Sequence, residues 1–212
     1  MATTRDAIVD AALMRAEQTS WEAVRLHDLA TVLGVTLDEV RAHFREKEEI
    51  VDAWFDRADS AMLRDADKED FRGLPTRQRL ERAIMTWLGA LARHRRETRQ
   101  MIWNRLEPGH LHFQFNGLLR VSRTVQWLRE AAGCDAKLPW RAFEETALTG
   151  IYLATLMYWL RDDSQDAVRT RAFLARQIER ADRLARAIPG LSGWGRAGAP
   201  PRVPTGPTEI NL

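Results

Sequence analysis

The sequence predicts an all-α protein of about nine helices, with a three-helix head in front of a larger helical body. Apolar residues recur at three- and four-residue intervals along most of the chain, which is the period of an amphipathic helix. No stretch alternates apolar with polar residues as a half-buried strand would. The proline and glycine breaks fall between the helical patterns. A chain of 212 residues is long enough for both parts to bury a core.

The first four helices are predicted from the apolar pattern of the N-terminal quarter. One helix is expected over residues 4–17, and two short helices joined at Gly34 follow within residues 26–44. Gly34 accepts the positive φ that a tight turn after a helix requires, and Thr36 is a favourable N-cap for the next helix. This is the helix-turn-helix pattern, whose second helix enters the major groove of DNA. A fourth, longer helix begins near Lys47, and its apolar pattern ends in the charged residues 64–72.

The break at 73–76 is followed by further helical patterns over residues 76–94, 97–106, 110–132, 140–160 and 165–188. The last segment is rich in glycine and proline and has little to bury, so we expect it to be disordered. The predicted organisation is therefore a helix-turn-helix head at 1–47, a ligand-binding and dimerisation body at 48–188 and a tail at 189–212.

Composition indicates an ordinary soluble protein, because 45% of the residues are hydrophobic and 29% are charged. The single cysteine excludes an internal disulfide and fits a reducing compartment. The N-terminus lacks the layout of a signal peptide, and the longest apolar run is shorter than the roughly 18–20 residues of a membrane span. We therefore expect a cytoplasmic protein.

Charge is distributed unevenly along the chain. Residues 1–50 hold six Lys and Arg against ten Asp and Glu, so the head is acidic, which opposes binding to phosphates. Residues 75–106 hold eight arginines against two acids. This basic segment is interpreted either as a solvated face that complements the head or as a patch for an anionic headgroup, a membrane surface or an acidic partner.

The order and spacing of several short motifs resemble the TetR family of transcriptional regulators. The motifs are Ile8-Val9-Asp10-Ala11-Ala12-Leu13, Asp28-Leu29-Ala30, Gly34-Val35-Thr36 and Phe44-x-x-Lys47-Glu48-Glu49-Ile50. The resemblance implies double-stranded DNA as a partner of the head, a small ligand in the body, and a homodimer formed through about 140–188. The DNA-binding candidates that follow are Arg25, Thr36, Leu37, Arg41, His43 and Lys47. For Lys47, a solvated lysine beside Glu48 is an equally good interpretation.

A second resemblance covers about 35 residues of the C-terminal part. The segments Ile151–Thr155, Trp159–Asp166 and Thr170–Leu174 are similar to Coq-nine-type proteins of ubiquinone biosynthesis. Those proteins share the TetR fold and bind isoprenoid lipids, so this resemblance implies a lipid- or quinone-binding protein that has lost DNA binding.

Aromatic residues of the body are the candidates for an apolar ligand site, since ligand pockets are lined largely by such side chains. They are Trp87, Trp103, Phe113, Phe115, Trp127, Tyr152 and Trp159. The alternative is that they fill a helical core. No phosphate loop, dinucleotide fingerprint or nucleophile elbow is found, and the histidines lack metal-ligand spacing, so no catalytic residue, metal or cofactor is expected.

Overall fold

The computed structural model describes residues 4–106, 111–136 and 140–187, and for residues 106 and 111–119 it describes the backbone alone. Within these ranges there are ten α-helices and no strand. They are α1 (Arg5–Gln18), α2 (Leu26–Leu33), α3 (Leu37–His43), α4 (Lys47–Ala66), α5 (Glu69–Arg72), α6 (Thr76–Leu91), α7 (Arg95–Leu106), α8 (Leu111–Ala132), α9 (Trp140–Trp159) and α10 (Val168–Ala187). Nine are longer than a single turn, which confirms the predicted fold class. The predicted tail at 189–212 lies outside the described residues.

The head is formed by α1 to α3 around a small apolar core. Thr4 caps α1 by accepting a hydrogen bond from the Ala7 amide at 3.2 Å. Gly34 adopts φ 66°, as expected, so α2 ends in a left-handed residue and the chain turns into α3. The core residues of the head are Ile8, Val9, Ala12, Leu13, Trp21, Val24, Leu29, Val40 and Phe44.

Helix α4 belongs to both parts of the molecule. On the head side, Arg57 donates to the Asp6 backbone carbonyl of α1 at 2.8 Å. On the body side, the Trp54 indole N–H donates to Thr98 Oγ1 at 3.0 Å. The division between residues 47 and 48 falls in the first turn of this helix and stays a prediction.

The charged residues after α4 form a packed corner rather than a simple linker. Asp65 accepts two hydrogen bonds from Arg82, at 2.7 and 2.8 Å, and these hold the pKa of the Asp65 carboxyl well below its usual range. Phe71, in the single turn α5, is fully buried. The sequence did not predict α5, because its only apolar residue is Phe71.

Most arginines of residues 75–106 are hydrogen-bonded, four of them to residues of other elements. Six of the eight arginines, all described by the structure, donate hydrogen bonds to other residues: Arg77, Arg79, Arg82, Arg95, Arg96 and Arg105. Arg96 bonds the Glu17 carbonyl at 2.6 Å and Arg105 bonds Asp52 at 2.9 Å, so part of the segment fastens the body to α1 and α4. These contacts favour the interpretation that it complements the acidic head.

No described helix combines the length and the apolar character that crossing a bilayer demands.

Candidate nucleic-acid interface and body cluster

Helix α3 is presented outwards by the head. Its only buried residue is Val40, whose backbone carbonyl accepts a hydrogen bond from the buried Phe44 at 2.9 Å. The exposed residues are Leu37, Asp38, Glu39, Arg41, Ala42 and His43. A short helix anchored through one face, with its other faces in solvent, has the arrangement that a recognition helix needs to enter a groove.

The carboxylate of Glu39 is used locally rather than directed at a partner. It accepts hydrogen bonds from the Thr36 amide and hydroxyl, both at 2.8 Å, while the Thr36 hydroxyl accepts one from the Glu39 amide at 3.2 Å. This reciprocal capping box satisfies backbone groups at the start of α3. The hydrogen bond from the Thr36 amide lowers the pKa of Glu39. Thr36 is therefore the N-cap of α3.

The other acidic residue of α3, Asp38, is paired one turn along the helix. Its Oδ1 accepts from Arg41 Nε at 2.9 Å and from Arg41 Nη2 at 2.8 Å. The two side chains are 78% and 71% exposed, so the pair lies on the surface of the head. Asp38 is therefore ion-paired within α3, while Glu39 is held by the neutral Thr36 and keeps its negative charge.

Lys47 is directed into the head. Its ammonium donates to three backbone carbonyls in the loop between α1 and α2: Trp21 at 2.9 Å, Glu22 at 3.2 Å and Val24 at 3.3 Å. It also lies 5.1 Å from the centre of the Trp21 ring. Partial burial lowers the pKa of Lys47. The ammonium's three N–H groups therefore hold this loop against the start of α4.

The remaining DNA-binding candidates are exposed. Arg25 occupies the N-cap position of α2, Leu37 is the first residue of α3 and is 50% exposed, and His43 is its last residue. Leu37, Arg41 and His43 thus belong to α3, and Thr36 is its N-cap. Arg25 lies at the start of the preceding helix, α2.

A buried polar cluster lies in the body where α4, α6 and α8 meet. The carboxylate of Asp59 accepts hydrogen bonds from the Trp87 indole N–H at 2.7 Å, from Arg120 Nη2 at 2.6 Å and from Thr124 Oγ1 at 3.1 Å. Arg120 Nη1 also donates to Asp56, and its buried Nε has no hydrogen-bond partner among the described residues. Burial raises the pKa of Asp59. A buried carboxylate is tolerated here because three donors surround it.

Aromatic rings enclose this cluster. Trp87 stacks on Phe55 with ring centres 5.7 Å apart and meets Tyr152 edge-on at 5.3 Å. Of the ligand-binding candidates, the structure thus brings Trp87 and Tyr152 together. Trp159 is buried near the end of α9, with Arg95 at 5.7 Å from its ring centre.

Other ligand-binding candidates lie elsewhere. Trp103 and Trp127 are each 45% exposed, while the side chains of Phe113 and Phe115 lie outside the described residues.

Asp59 and Arg120 were not predicted as site residues, although the sequence contains a signal for each. Asp59 lies in the apolar stripe of α4, four residues after Phe55 and three before Met62. Arg120 lies four residues before Thr124, which is also buried. A charged residue at a core position of an amphipathic helix indicates a buried partner.

The chain is similar to one family model and to several solved structures. A model of the COQ9 family matches residues 145–185, about a fifth of the chain. No curated protein matches.

Among solved structures, a TetR regulator from Rhodococcus sp. RHA1 is 16% identical, covers 84% of this chain and 94% of its own, and has a TM-score of 0.63, which supports the fold alone. The TetR transcriptional regulator from Nitrosomonas europaea ATCC 19718 is 52% identical, over 84% of this chain and 97% of that one, with a TM-score of 0.75. At this identity and coverage, the chain belongs to the TetR family of transcriptional regulators.

Proposed function

We propose that the protein is a homodimeric transcriptional regulator that binds double-stranded DNA through α3 and is released by an apolar small molecule bound in the body. The observation that carries the DNA-binding part is the presentation of α3, in which six of seven residues are exposed and both carboxylates have partners. The ion pair between Asp38 and Arg41 offsets one of the two negative charges at the start of α3, which would otherwise repel phosphates.

A set of contacts supports communication between the body and α3. Asp56 of α4 accepts a hydrogen bond from Arg120 of the body. The Oδ2 atom of Asp56 also lies 3.9 Å from Nη2 of Arg5 in α1. The Arg5 guanidinium in turn lies 5.2 Å from the centre of the Phe44 ring, at the C-cap of α3. A ligand that moves α8 or α4 would thereby bias the position of the recognition helix, provided that it binds the two arrangements with different affinity.

The DNA-binding proposal is tested by gel shift with the region upstream of the protein's own gene. We expect a complex whose affinity falls steeply as salt is raised, because phosphate contacts release counterions. Apolar ligands, isoprenoid quinones among them, are then titrated into the complex, and release of DNA is expected. Absence of salt-sensitive binding at low ionic strength would contradict the proposal.

Dimerisation is proposed to use an uncharged face of α9. Its exposed residues recur at helical spacing: Phe143, Thr146, Ala147, Gly150, Leu153 and Ala154. An exposed apolar stripe of this kind is typical of a surface that a partner covers. Val168 and Leu184 of α10 are also exposed apolar residues, consistent with a second copy packing on both helices.

We expect Gly150→Arg to convert the dimer into a monomer, measured by light scattering. In the part of the chain that the structure describes, no atom outside the helix lies within 4 Å of a Cβ built at Gly150, so the arginine fits a single chain but places a charge on the apolar face. Gly89→Arg is the matched control, because Gly89 is an exposed helical glycine on α6 with equally open space. A Gly150→Arg protein that stays dimeric would rule out this face.

A second candidate function is a TetR-fold lipid- or quinone-binding protein that has lost DNA binding. The likeness of residues 145–185 to the COQ9 family favours it, as does the excess of acidic residues in the head. Mass spectrometry of the purified protein separates the two. Co-purified isoprenoid lipid without DNA binding would support this candidate, while an empty body and sequence-specific DNA binding would exclude it.

A further inference from the structure

The outer face of α3 is the face opposite its buried residue, Val40. Since successive residues of an α-helix are about 100° apart, the residues opposite Val40 are Asp38 and Ala42, with Arg41 beside them. Ala42 is small and exposed, so it allows the floor of a groove to approach the helix closely. The largest polar group on this face is the guanidinium of Arg41.

The pairing with Asp38 orients that guanidinium in the structure. Arg41 uses Nε and Nη2, on one edge of the planar group, to donate to a single oxygen of Asp38 at 2.9 and 2.8 Å. A guanidinium has five N–H groups in a rigid fork. The two N–H groups of Nη1 and the second N–H of Nη2 do not contact Asp38. One N–H of Nη1 and the second N–H of Nη2 are parallel, and these two groups form the outer edge of the guanidinium.

This outer edge matches one base in the major groove. Guanine presents two adjacent acceptors there, N7 and O6, which suit two parallel N–H donors. Adenine pairs its N7 acceptor with an N6 donor, cytosine presents an N4 donor, and thymine offers one acceptor beside a methyl group. Building on the proposed DNA binding, we propose that Arg41, oriented by Asp38, reads a guanine in each half-site of the operator.

Asp38 is a positioning residue in this arrangement. Its carboxylate is too near the guanidinium to be a free repulsive charge, and it restricts a side chain that would otherwise sample many rotamers. Holding the fork in place before binding reduces the entropy lost when the base contact forms. The acidic residue that opposes DNA binding through its charge therefore contributes specificity.

The test is selection from a pool of randomised duplex DNA by the full-length protein. The wild type is expected to enrich sites with a guanine at one symmetric position in each half-site. Arg41→Ala should lower affinity for the selected site by about tenfold or more and lose the preference at that base pair. Arg41→Lys keeps the charge without the fork and should also lose the preference.

Asp38→Ala removes the acceptor oxygen that orients Arg41. It removes a negative charge, so binding to random DNA should be unchanged or tighter, while the guanine preference weakens. Arg64→Ala, at an exposed arginine near the far end of α4, controls for loss of one positive charge and should leave the enriched site unchanged.

The outcomes distinguish this inference from the function on which it rests. The same enriched site for the wild type and Arg41→Ala would overturn the role of Arg41 and leave DNA binding intact. An Asp38→Ala protein with the full guanine preference would overturn the role of Asp38. A wild-type protein that enriches no DNA would overturn the proposed function and this inference with it.

Discussion

Replacing Arg120 by methionine will destabilise the folded protein by about 3–5 kcal/mol at pH 7, the range observed when one partner of a buried ion pair is removed. The side chain of Arg120 is 7% exposed and that of Asp59 is 9% exposed, so water cannot replace the lost guanidinium. Asp59 would keep only its hydrogen bonds from Trp87 and Thr124. Urea denaturation at a fixed protein concentration measures the loss.

The destabilisation in Arg120→Met will shrink as the pH is lowered. Burial already raises the pKa of Asp59, and losing the nearby cation raises it further. The folded variant then takes up a proton at a pH where the unfolded chain, with an Asp pKa of about 3.9, does not. Protonation of Asp59 therefore stabilises the folded variant below the raised pKa, and this stabilisation is lost as the pH rises through that pKa. A cost that does not change as the pH is lowered from 7 towards the ordinary Asp pKa of about 3.9 would contradict this account.

Two further variants control for the buried charge. Asp59→Asn alone should cost less than Arg120→Met, because Arg120 keeps its hydrogen bond to the half-exposed Asp56. The double variant Asp59→Asn/Arg120→Met should recover much of the stability, since no uncompensated charge stays buried and the amide oxygen still accepts from Trp87. Equal losses for Asp59→Asn and Arg120→Met would mean that packing, not charge, sets the stability here.

The helices were predictable because their signals are local. Gly34 ends α2 with a positive φ and Thr36 caps α3, and both features depend on residues within four positions in the sequence. Apolar spacing likewise located the longer helices of the body. The order of these local motifs predicted the TetR family, and the solved relative from Nitrosomonas europaea confirms it.

The contacts of the site were less predictable because they are tertiary. Nothing in the spacing of the head indicates that the Lys47 ammonium turns back to three carbonyls more than twenty residues earlier. Among the arginines of residues 75–106, composition could not tell that Arg79 is almost fully buried. The direction of a long side chain depends on what the fold places beside it.

The inward direction of Lys47 leads to the second prediction. Lys47→Met will lower both the stability and the DNA affinity of the protein, while the dependence of binding on salt stays the same. Three hydrogen bonds from a charged donor are lost, and we expect a cost of about 2 kcal/mol because the group is only half buried. For a chain of this size, that corresponds to a fall of about 4–8 °C in Tm. The loop after α1 would loosen and shift α2 relative to α3.

The salt dependence decides between a positioning role for Lys47 and the direct contact with DNA that its place among the DNA-binding candidates implies. A lysine that neutralises a phosphate contributes about one unit to the slope of log K against log salt. Since the three N–H groups of Lys47 are held by carbonyls, we expect the slopes of the wild type and Lys47→Met to agree. Lys68→Met serves as the control, because Lys68 lies beyond the other end of α4 and its side chain is 61% exposed. A slope lower by about one unit with an unchanged Tm would instead establish that Lys47 leaves the loop to bind a phosphate.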